Sequence, residues 1–181
     1  KKSILFKKLG IYHFKSGVVC SNGWHTKMVN VKRDLYVQWL STQACIYRSK
    51  VLRKNVLFDT SLGRYSYLDD LFISFRLNKS GKLKVSYNSE YYHPNNIERN
   101  NFYFGIQEVK NRYKFVKKNK LRKDKFYFTI SIKILYTLFL ILTLRLNKIP
   151  KFFGNIFGVI LCLSSIKKKI NFTLILPLIS I

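Results

Sequence analysis

The chain has 181 residues, a length typical of one domain. Its 34 Lys and Arg residues against 8 Asp and Glu residues give a net charge of +26, yet 48% of the residues are hydrophobic, which excludes a chain that is disordered for lack of apolar residues. The cysteines Cys20, Cys45 and Cys162 are odd in number and far apart. This spacing argues against a disulfide framework or a zinc ribbon and favours a reducing compartment.

The composition changes twice along the chain. Residues 1–109 mix apolar, polar and turn-forming residues as a globular domain does, and seven of the eight acids lie there. Nine of the sixteen residues over 110–125 are basic, and residues 126–181 are mostly apolar. We predict a folded domain over 1–109, a basic juxtamembrane segment over 110–125 and an apolar, membrane-associated helical tail over 126–181.

The first part contains several short predicted elements. Residues 16–21 predict a short buried strand that follows a loop. Residues 37–47 predict a strand that runs into a turn or the start of a helix, and residues 48–56 predict a short helix. The Asp, Ser and Gly residues over 58–67 indicate an irregular loop.

The clearest predicted element is a helix that begins near Asp69. Ser66 followed by Asp69 fits the S-x-x-D capping pattern, which places Asp69 and Asp70 in the first turn. Gly81 is a stop signal, and the alternation over 82–87 predicts a half-buried strand. The apolar face of the helix recurs at i, i+3, i+4 and i+7, at Leu68, Leu71, Phe72 and Phe75. This order of elements indicates an α/β fold.

The adjacent carboxylates of Asp69 and Asp70 have two interpretations. Acids in the first turn of a helix are stabilised by the free N–H groups and the helix dipole, so the pair could serve only as a cap. Alternatively, one carboxylate caps the helix while the other points into a cleft as a general base. Local pattern alone does not separate these interpretations.

Short motifs around the acidic pair occur in a characteristic order. They are residues 39–48 (WLSTQACIYR), Phe58-Asp59, residues 69–77 (DDLFISFRL), residues 79–83 (KSGKL) and His93. In this order they resemble the acceptor half of family 2 glycosyltransferases of the GT-A fold, over about residues 16–95. The resemblance therefore implies the C-terminal, acceptor-side part of a GT-A domain, followed here by apolar membrane-associated helices.

The resemblance assigns catalytic roles to the acidic pair. Asp70 matches the aspartate that removes the proton from the acceptor hydroxyl, and Asp69 matches the acidic neighbour that orients the acceptor or the base. In-line attack would invert the anomeric configuration of the donor sugar. His93 matches a position where some members place a metal ligand or a diphosphate contact.

The resemblance also implies an acceptor-binding wall. Its residues are Trp39, Leu40, Ser41 and Arg48. A sugar ring could stack on the indole of Trp39. The acceptor would be a glycan or a lipid-linked saccharide, as in polysaccharide biosynthesis.

The donor-binding motif of the family, D-x-D, does not occur in these residues. We therefore expect the nucleotide-sugar donor and a divalent metal, Mg²⁺ or Mn²⁺, to be bound mostly by an N-terminal half that precedes Lys1. On this expectation the isolated chain is inactive in transfer.

The basic and apolar segments predict a membrane partner. The basic residues over 110–125 are followed directly by an apolar stretch, so anionic lipid is a more economical partner than nucleic acid. Residues 126–144 are nearly long enough to span a bilayer, but Lys133 near their middle is costly there. We favour a helix at the cytoplasmic interface, with a membrane span as the alternative. Glu108 has no partner that the sequence identifies.

Two functions from different classes follow. The first is an inverting, membrane-associated glycosyltransferase fragment with Asp70 as the general base. The second is a non-catalytic, basic membrane-binding protein in which Asp69 and Asp70 only cap a helix.

Overall fold

The computed structural model describes residues 4–28, 31–54, 58–63, 66–89, 92 and 99–175. Within these residues it contains six α-helices and one two-stranded sheet. In chain order they are α1 Ile4–Lys8, β1 Leu35–Val37, α2 Ser49–Lys54, α3 Asp69–Leu77, β2 Leu83–Val85, α4 Phe102–Lys118, α5 Lys123–Leu142 and α6 Ile149–Ile175.

The chain forms two compact units. The first combines Lys1–Asn96 with Lys114–Thr129, and the second combines Ile97–Tyr113 with Ile130–Ile181. The predicted boundary between residues 109 and 110 therefore falls inside α4. The predicted basic segment is not a separate element, because it comprises the end of α4, a turn and the start of α5.

The first unit is built around the sheet and α3. β1 and β2 are antiparallel, with Leu35 opposite Val85 and Val37 opposite Leu83. Val37 and Leu83 are buried and pack with Ile73 of α3. A second core cluster joins residues from separate parts of the chain, namely Trp39, Leu62, Leu68, Leu71, Phe72 and Phe115. The two clusters together fix α3 against the sheet and the loop that follows β1.

The predicted helix after Asp69 is confirmed, but its predicted cap is wrong. Ser66 lies in the left-handed region (φ 47°), and its hydroxyl donates to the carbonyl of Gly63 at 3.1 Å instead of capping the helix. The N-cap residue is Leu68, also left-handed (φ 76°), with no side-chain cap. Gly81 contributes to the end of the helix, because its N–H donates to the Leu77 carbonyl.

The other short predictions have mixed outcomes. The helix predicted over 48–56 and the strand predicted over 82–87 are confirmed as α2 and β2. The strand predicted over 16–21 is wrong, because only an isolated bridge between Val19 and His25 forms there. The Thr26 hydroxyl accepts a hydrogen bond from the Val18 N–H at 2.9 Å, so this amide is not paired with another strand. A left-handed backbone at Gly17 (φ 68°) also interrupts the extended conformation of residues 16–21.

The second unit consists of helices. Gly105 of α4 and Gly154 of α6 allow the two backbones to touch, because a Cβ on Gly105 would lie 2.6 Å from the Lys151 carbonyl oxygen and one on Gly154 would overlap the Phe102 carbonyl oxygen. Gly158 continues this contact, since a Cβ there would lie 2.8 Å from Val109 Cβ. Small residues that let helix backbones approach closely are typical of helix pairs in membranes.

Two helices among the described residues are long and apolar enough to cross a membrane, at Lys123–Leu142 and Leu146–Ser164. Few of their residues are buried within the chain. Large apolar side chains therefore point outward, among them Leu135, Phe139, Leu142, Phe153 and Ile160.

Candidate active site and the ionic cluster

The candidate site is centred on the first turn of α3. Asp69 Oδ1 accepts the N–H of Asp70 at 2.7 Å, and Asp70 Oδ1 accepts the N–H of Leu71 at 2.7 Å. Both side chains are half-buried, whereas Leu71 beside them is fully buried. Each carboxylate thus accepts the N–H of the residue that follows it in the first turn, and the Leu71 N–H is shared with the Leu68 carbonyl at 3.1 Å.

Cys45 and Tyr47 lie within the electrostatic reach of this turn. Burial raises the pKa of the Cys45 thiol, and the negative charge of Asp70 raises it further against the opposing effect of Tyr47. Burial also raises the pKa of Tyr47 strongly, and Cys45, Asp70 and Asp69 add to that effect. The thiol and the phenol are therefore neutral near pH 7, and both can serve as hydrogen-bond donors beside the carboxylates.

Ser74 ties the predicted acceptor loop to the helix that carries Asp70. The Leu40 N–H donates to Ser74 Oγ at 2.8 Å, and Ser74 Oγ donates to the Leu40 carbonyl at 3.1 Å. Ser74 is only 1% exposed and lies four residues after Asp70, so both side chains project from the same side of α3. The structure thus brings Leu40 to the face of the helix predicted to carry the base.

The neighbours of Leu40 take different positions. Trp39 is 7% exposed in the core, its indole N–H donates to the Thr26 carbonyl at 2.9 Å, and its ring lies 4.2 Å from that of His25. A sugar could stack on this indole only if the loop opened. Ser41 is half-buried, and its carbonyl accepts a hydrogen bond from the Cys45 thiol at 2.6 Å.

The remaining predicted site residues are Arg48 and His93. Arg48 is exposed just before α2. His93 lies outside the described residues, so its predicted metal role is not addressed. Over the described ranges, no group of three or more His, Cys, Asp and Glu residues is placed to hold a metal ion.

Asp59 of the predicted Phe-Asp motif has a structural role in the loop before α3. Its carboxylate accepts from the Ser61 N–H at 3.2 Å and pairs with Lys114 at 3.0 Å and Lys118 at 3.3 Å. The hydrogen bond from the Ser61 hydroxyl, followed by the two lysines, lowers the pKa of Asp59 despite an opposing effect of burial. Asp59 thus joins this loop to the end of α4.

The second unit contains an ionic cluster that the sequence did not predict. Glu108 of α4 is 7% exposed and pairs with Lys133 of α5, while Lys151 of α6 lies 3.3 Å from its other carboxylate oxygen. Burial acts to raise the pKa of Glu108, but the charges of Lys133 and Lys151 outweigh it and lower that pKa. The sequence contained a signal for the Glu108–Lys133 pair, because Glu108 is the one acid in α4 and Lys133 is the one charged residue over 126–144.

The chain was compared with protein-family models, with curated proteins and with solved structures, and none of them matches it.

Proposed function

We propose that this chain is the acceptor-side part of an inverting, membrane-associated glycosyltransferase with a GT-A fold. The observation that supports it best is the pairing of Ser74 with Leu40, which holds the loop before the 3-10 helix Thr42–Ala44 on the helix that begins with Asp69 and Asp70. An acidic helix start and an adjoining loop make a two-sided site of the kind that acceptor deprotonation needs.

In the proposed reaction, Asp70 acts as the general base. Its carboxylate takes the proton of the acceptor hydroxyl while the oxygen forms a bond to the anomeric carbon of the donor. The bond from that carbon to the diphosphate oxygen breaks, its electron pair leaves with the nucleoside diphosphate, and the configuration inverts. Asp69 orients Asp70 or the acceptor.

The donor would be a nucleotide sugar bound outside these residues, since D-x-D does not occur in the sequence. A divalent metal, Mg²⁺ or Mn²⁺, would neutralise the charge that develops on the leaving diphosphate. Its binding would fall mostly to residues outside this chain, with His93 as a further ligand.

The apolar helices would place the enzyme on the cytoplasmic face of the membrane, next to a glycan or lipid-linked acceptor. Basic residues at the two ends of the first apolar helix, such as Lys123 and Lys125 in its first turn and Arg145 after it, would contact anionic headgroups. This arrangement would keep the acceptor at the surface where the nucleotide sugar is available.

The competing proposal is a non-catalytic membrane-binding protein. The specific observation in its favour is that the carboxylates of Asp69 and Asp70 both accept backbone N–H groups of the first turn of α3. Under that proposal neither carboxylate takes part in chemistry.

Asp70→Asn in the full-length enzyme separates the two proposals. Asparagine keeps an oxygen for the Leu71 N–H, so folding and membrane binding should persist while kcat for sugar transfer falls by about 10²- to 10⁴-fold. Asp34→Asn, at an exposed ion pair with Lys84, is the matched control and should leave transfer unchanged. Unchanged transfer in Asp70→Asn would remove Asp70 from the mechanism.

A further inference from the structure

A pocket in the first unit is not used by the mechanism above. Its volume is about 440 Å³, within the usual size range of small-molecule sites. Its described lining residues come from two short segments, residues 11–15 and 20–27. Aromatic rings form much of the wall, contributed by Tyr12, Phe14, Trp24 and His25.

Hydrogen bonds hold the two segments in place. Thr26 Oγ1 donates to the Lys15 carbonyl at 2.7 Å, and Asn22 Nδ2 donates to the Ile11 carbonyl at 3.0 Å. Asn22 is fully buried, and its Oδ1 accepts the N–H of Trp24 at 3.0 Å. The pocket is therefore pre-formed, so a ligand would not have to order its walls.

The charged side chains that line the pocket are positive. Among its described lining residues, Lys15 and Lys27 carry a formal positive charge, both are exposed, and none is an Asp or a Glu. A third cation, Lys7, lies 5.4 Å from the centre of the Phe14 ring. Lysine ammonium groups bind phosphate and carboxylate as point charges, so the rim favours an anionic ligand.

The pocket adjoins the residue predicted to form the acceptor wall. His25 lines it, and the His25 ring lies 4.2 Å from the ring of Trp39. The Trp39 indole donates to the carbonyl of Thr26, another lining residue. Trp39 in turn belongs to the core cluster that contains Leu68 and Leu71, which flank Asp69 and Asp70.

We propose that this pocket binds a sugar that carries an anionic group, either a phosphate or a carboxylate. The apolar face of the sugar ring would lie against the aromatic side chains of Phe14 and Trp24, and Lys15 and Lys27 would contact the anion. Binding of such a sugar does not depend on the proposed transferase function. Its role as part of the acceptor does rest on that function.

Tryptophan fluorescence tests the proposal directly. The chain has two tryptophans, Trp24 in the pocket wall and Trp39 next to His25, so the emission comes from this region alone. The full chain in detergent micelles is titrated with galactose 1-phosphate, glucuronic acid, neutral galactose, inorganic phosphate and uridine monophosphate. We expect one of the two anionic sugars, or both, to change the emission with a Kd at least about tenfold below those of galactose and inorganic phosphate. Which of the two binds identifies the anionic group.

Paired lysine variants provide the control. Lys15→Ala/Lys27→Ala should weaken binding of the anionic sugar by at least about tenfold and leave the far-ultraviolet circular dichroism unchanged, because both side chains are exposed. Lys50→Ala/Lys79→Ala removes the same charge from exposed positions elsewhere and should leave the Kd unchanged.

Four results would overturn the proposal. They are no response to either anionic sugar, equal binding of galactose or inorganic phosphate, preferential binding of uridine monophosphate, and equal weakening by both lysine pairs. No response would mean that there is no site, and equal binding of galactose or inorganic phosphate would mean a general sugar or anion site. Preferential binding of uridine monophosphate would mean a nucleotide site, and equal weakening by both lysine pairs would mean a non-specific charge effect. None of them affects the Asp70→Asn result, so failure of the pocket and failure of the transferase proposal are distinguishable.

Discussion

Lys133, the charge in the middle of the apolar helix α5, forms an ion pair with the buried carboxylate of Glu108 on α4. An unpaired lysine at this position would be costly in an apolar environment, and the pair lowers that cost. Lys151 of α6 adds a second positive charge at 3.3 Å, so one carboxylate links three helices of the second unit.

Glu108→Gln should destabilise the second unit. It leaves the Lys133 and Lys151 charges without their counter-ion, which we expect to lower the free energy of unfolding by about 2–3 kcal/mol, less than for fully buried pairs because the lysine side chains remain 27% and 17% exposed. Adding Lys133→Met should recover part of this loss. Denaturant unfolding in micelles measures both effects.

Asp124→Asn is the control for the charge effect. Asp124 pairs with Arg122 at an exposed site, and its loss should have little effect on stability. Equal stability of Glu108→Gln and wild type would contradict a stabilising role for the cluster.

Gly154→Ala should also destabilise the second unit. The added Cβ would overlap the Phe102 carbonyl oxygen, so α6 must move away from α4 at a cost of about 1–3 kcal/mol. Gly81→Ala is the matched control, because a Cβ there meets nothing within 4 Å. Thermal unfolding of the two variants compares them, and equal melting temperatures would contradict the close packing of α4 and α6.

Ser74→Ala tests the connection between α3 and the acceptor loop. It leaves the N–H and carbonyl of Leu40 without their partner, at an expected cost of about 1–3 kcal/mol. In the full-length enzyme we expect a higher KM for the acceptor. Ser80→Ala, at an exposed turn position, should change neither the stability nor KM. A Ser74→Ala enzyme with unchanged stability and KM would show that the loop does not depend on this contact.

The stability contributed by Asp59 should depend on pH. Its pKa is lower in the folded chain than the ordinary value of 3.8, so its contribution is fully present above that value and is lost as the pH falls through the folded pKa. The difference in unfolding free energy between wild type and Asp59→Asn should therefore shrink from about pH 5 downward. A difference that stays constant over this range would contradict the pairing of Asp59 with Lys114 and Lys118.

Membrane binding should depend on anionic lipid. Replacing the exposed Lys117, Lys120 and Lys123 with glutamine should weaken binding to anionic liposomes by about 1 kcal/mol per lysine near the surface, while the same change at Lys50, Lys79 and Lys82 should not. Sedimentation with anionic and neutral liposomes at two salt concentrations measures this. Binding that is insensitive to both salt and lipid charge would contradict an interfacial contribution from the basic segment.

Elements set by local pattern were predictable. Helix α3 followed from the helical spacing of Leu71, Phe72 and Phe75, although Ile73 and Ser74 beside this face are buried as well. Strand β2 followed from the alternation of polar and apolar residues. The cap of α3 was not predictable in the same way. Serine is a residue type that often caps helices. Here the backbone is left-handed at Ser66 and Leu68, and the Ser66 hydroxyl donates to the Gly63 carbonyl instead.

Contacts between residues that are far apart in the chain were harder to predict from the sequence. Ser74 looked like an ordinary residue of the apolar helix, and only the fold places it on Leu40, 34 residues earlier. The pairing of Glu108 with Lys133 depends on the turn between α4 and α5. The G-x-x-x-G spacing of Gly154 and Gly158 in an apolar helix was a readable signal for close helix packing.

The most direct test of the transferase proposal is the coding sequence upstream of Lys1, translated in frame. The proposal predicts a strand-rich segment of about a hundred residues that ends in D-x-D and supplies the donor and metal site. A start codon immediately before Lys1 would leave Asp70 with no donor-binding half, contradict the transferase proposal and favour the non-catalytic membrane-binding protein.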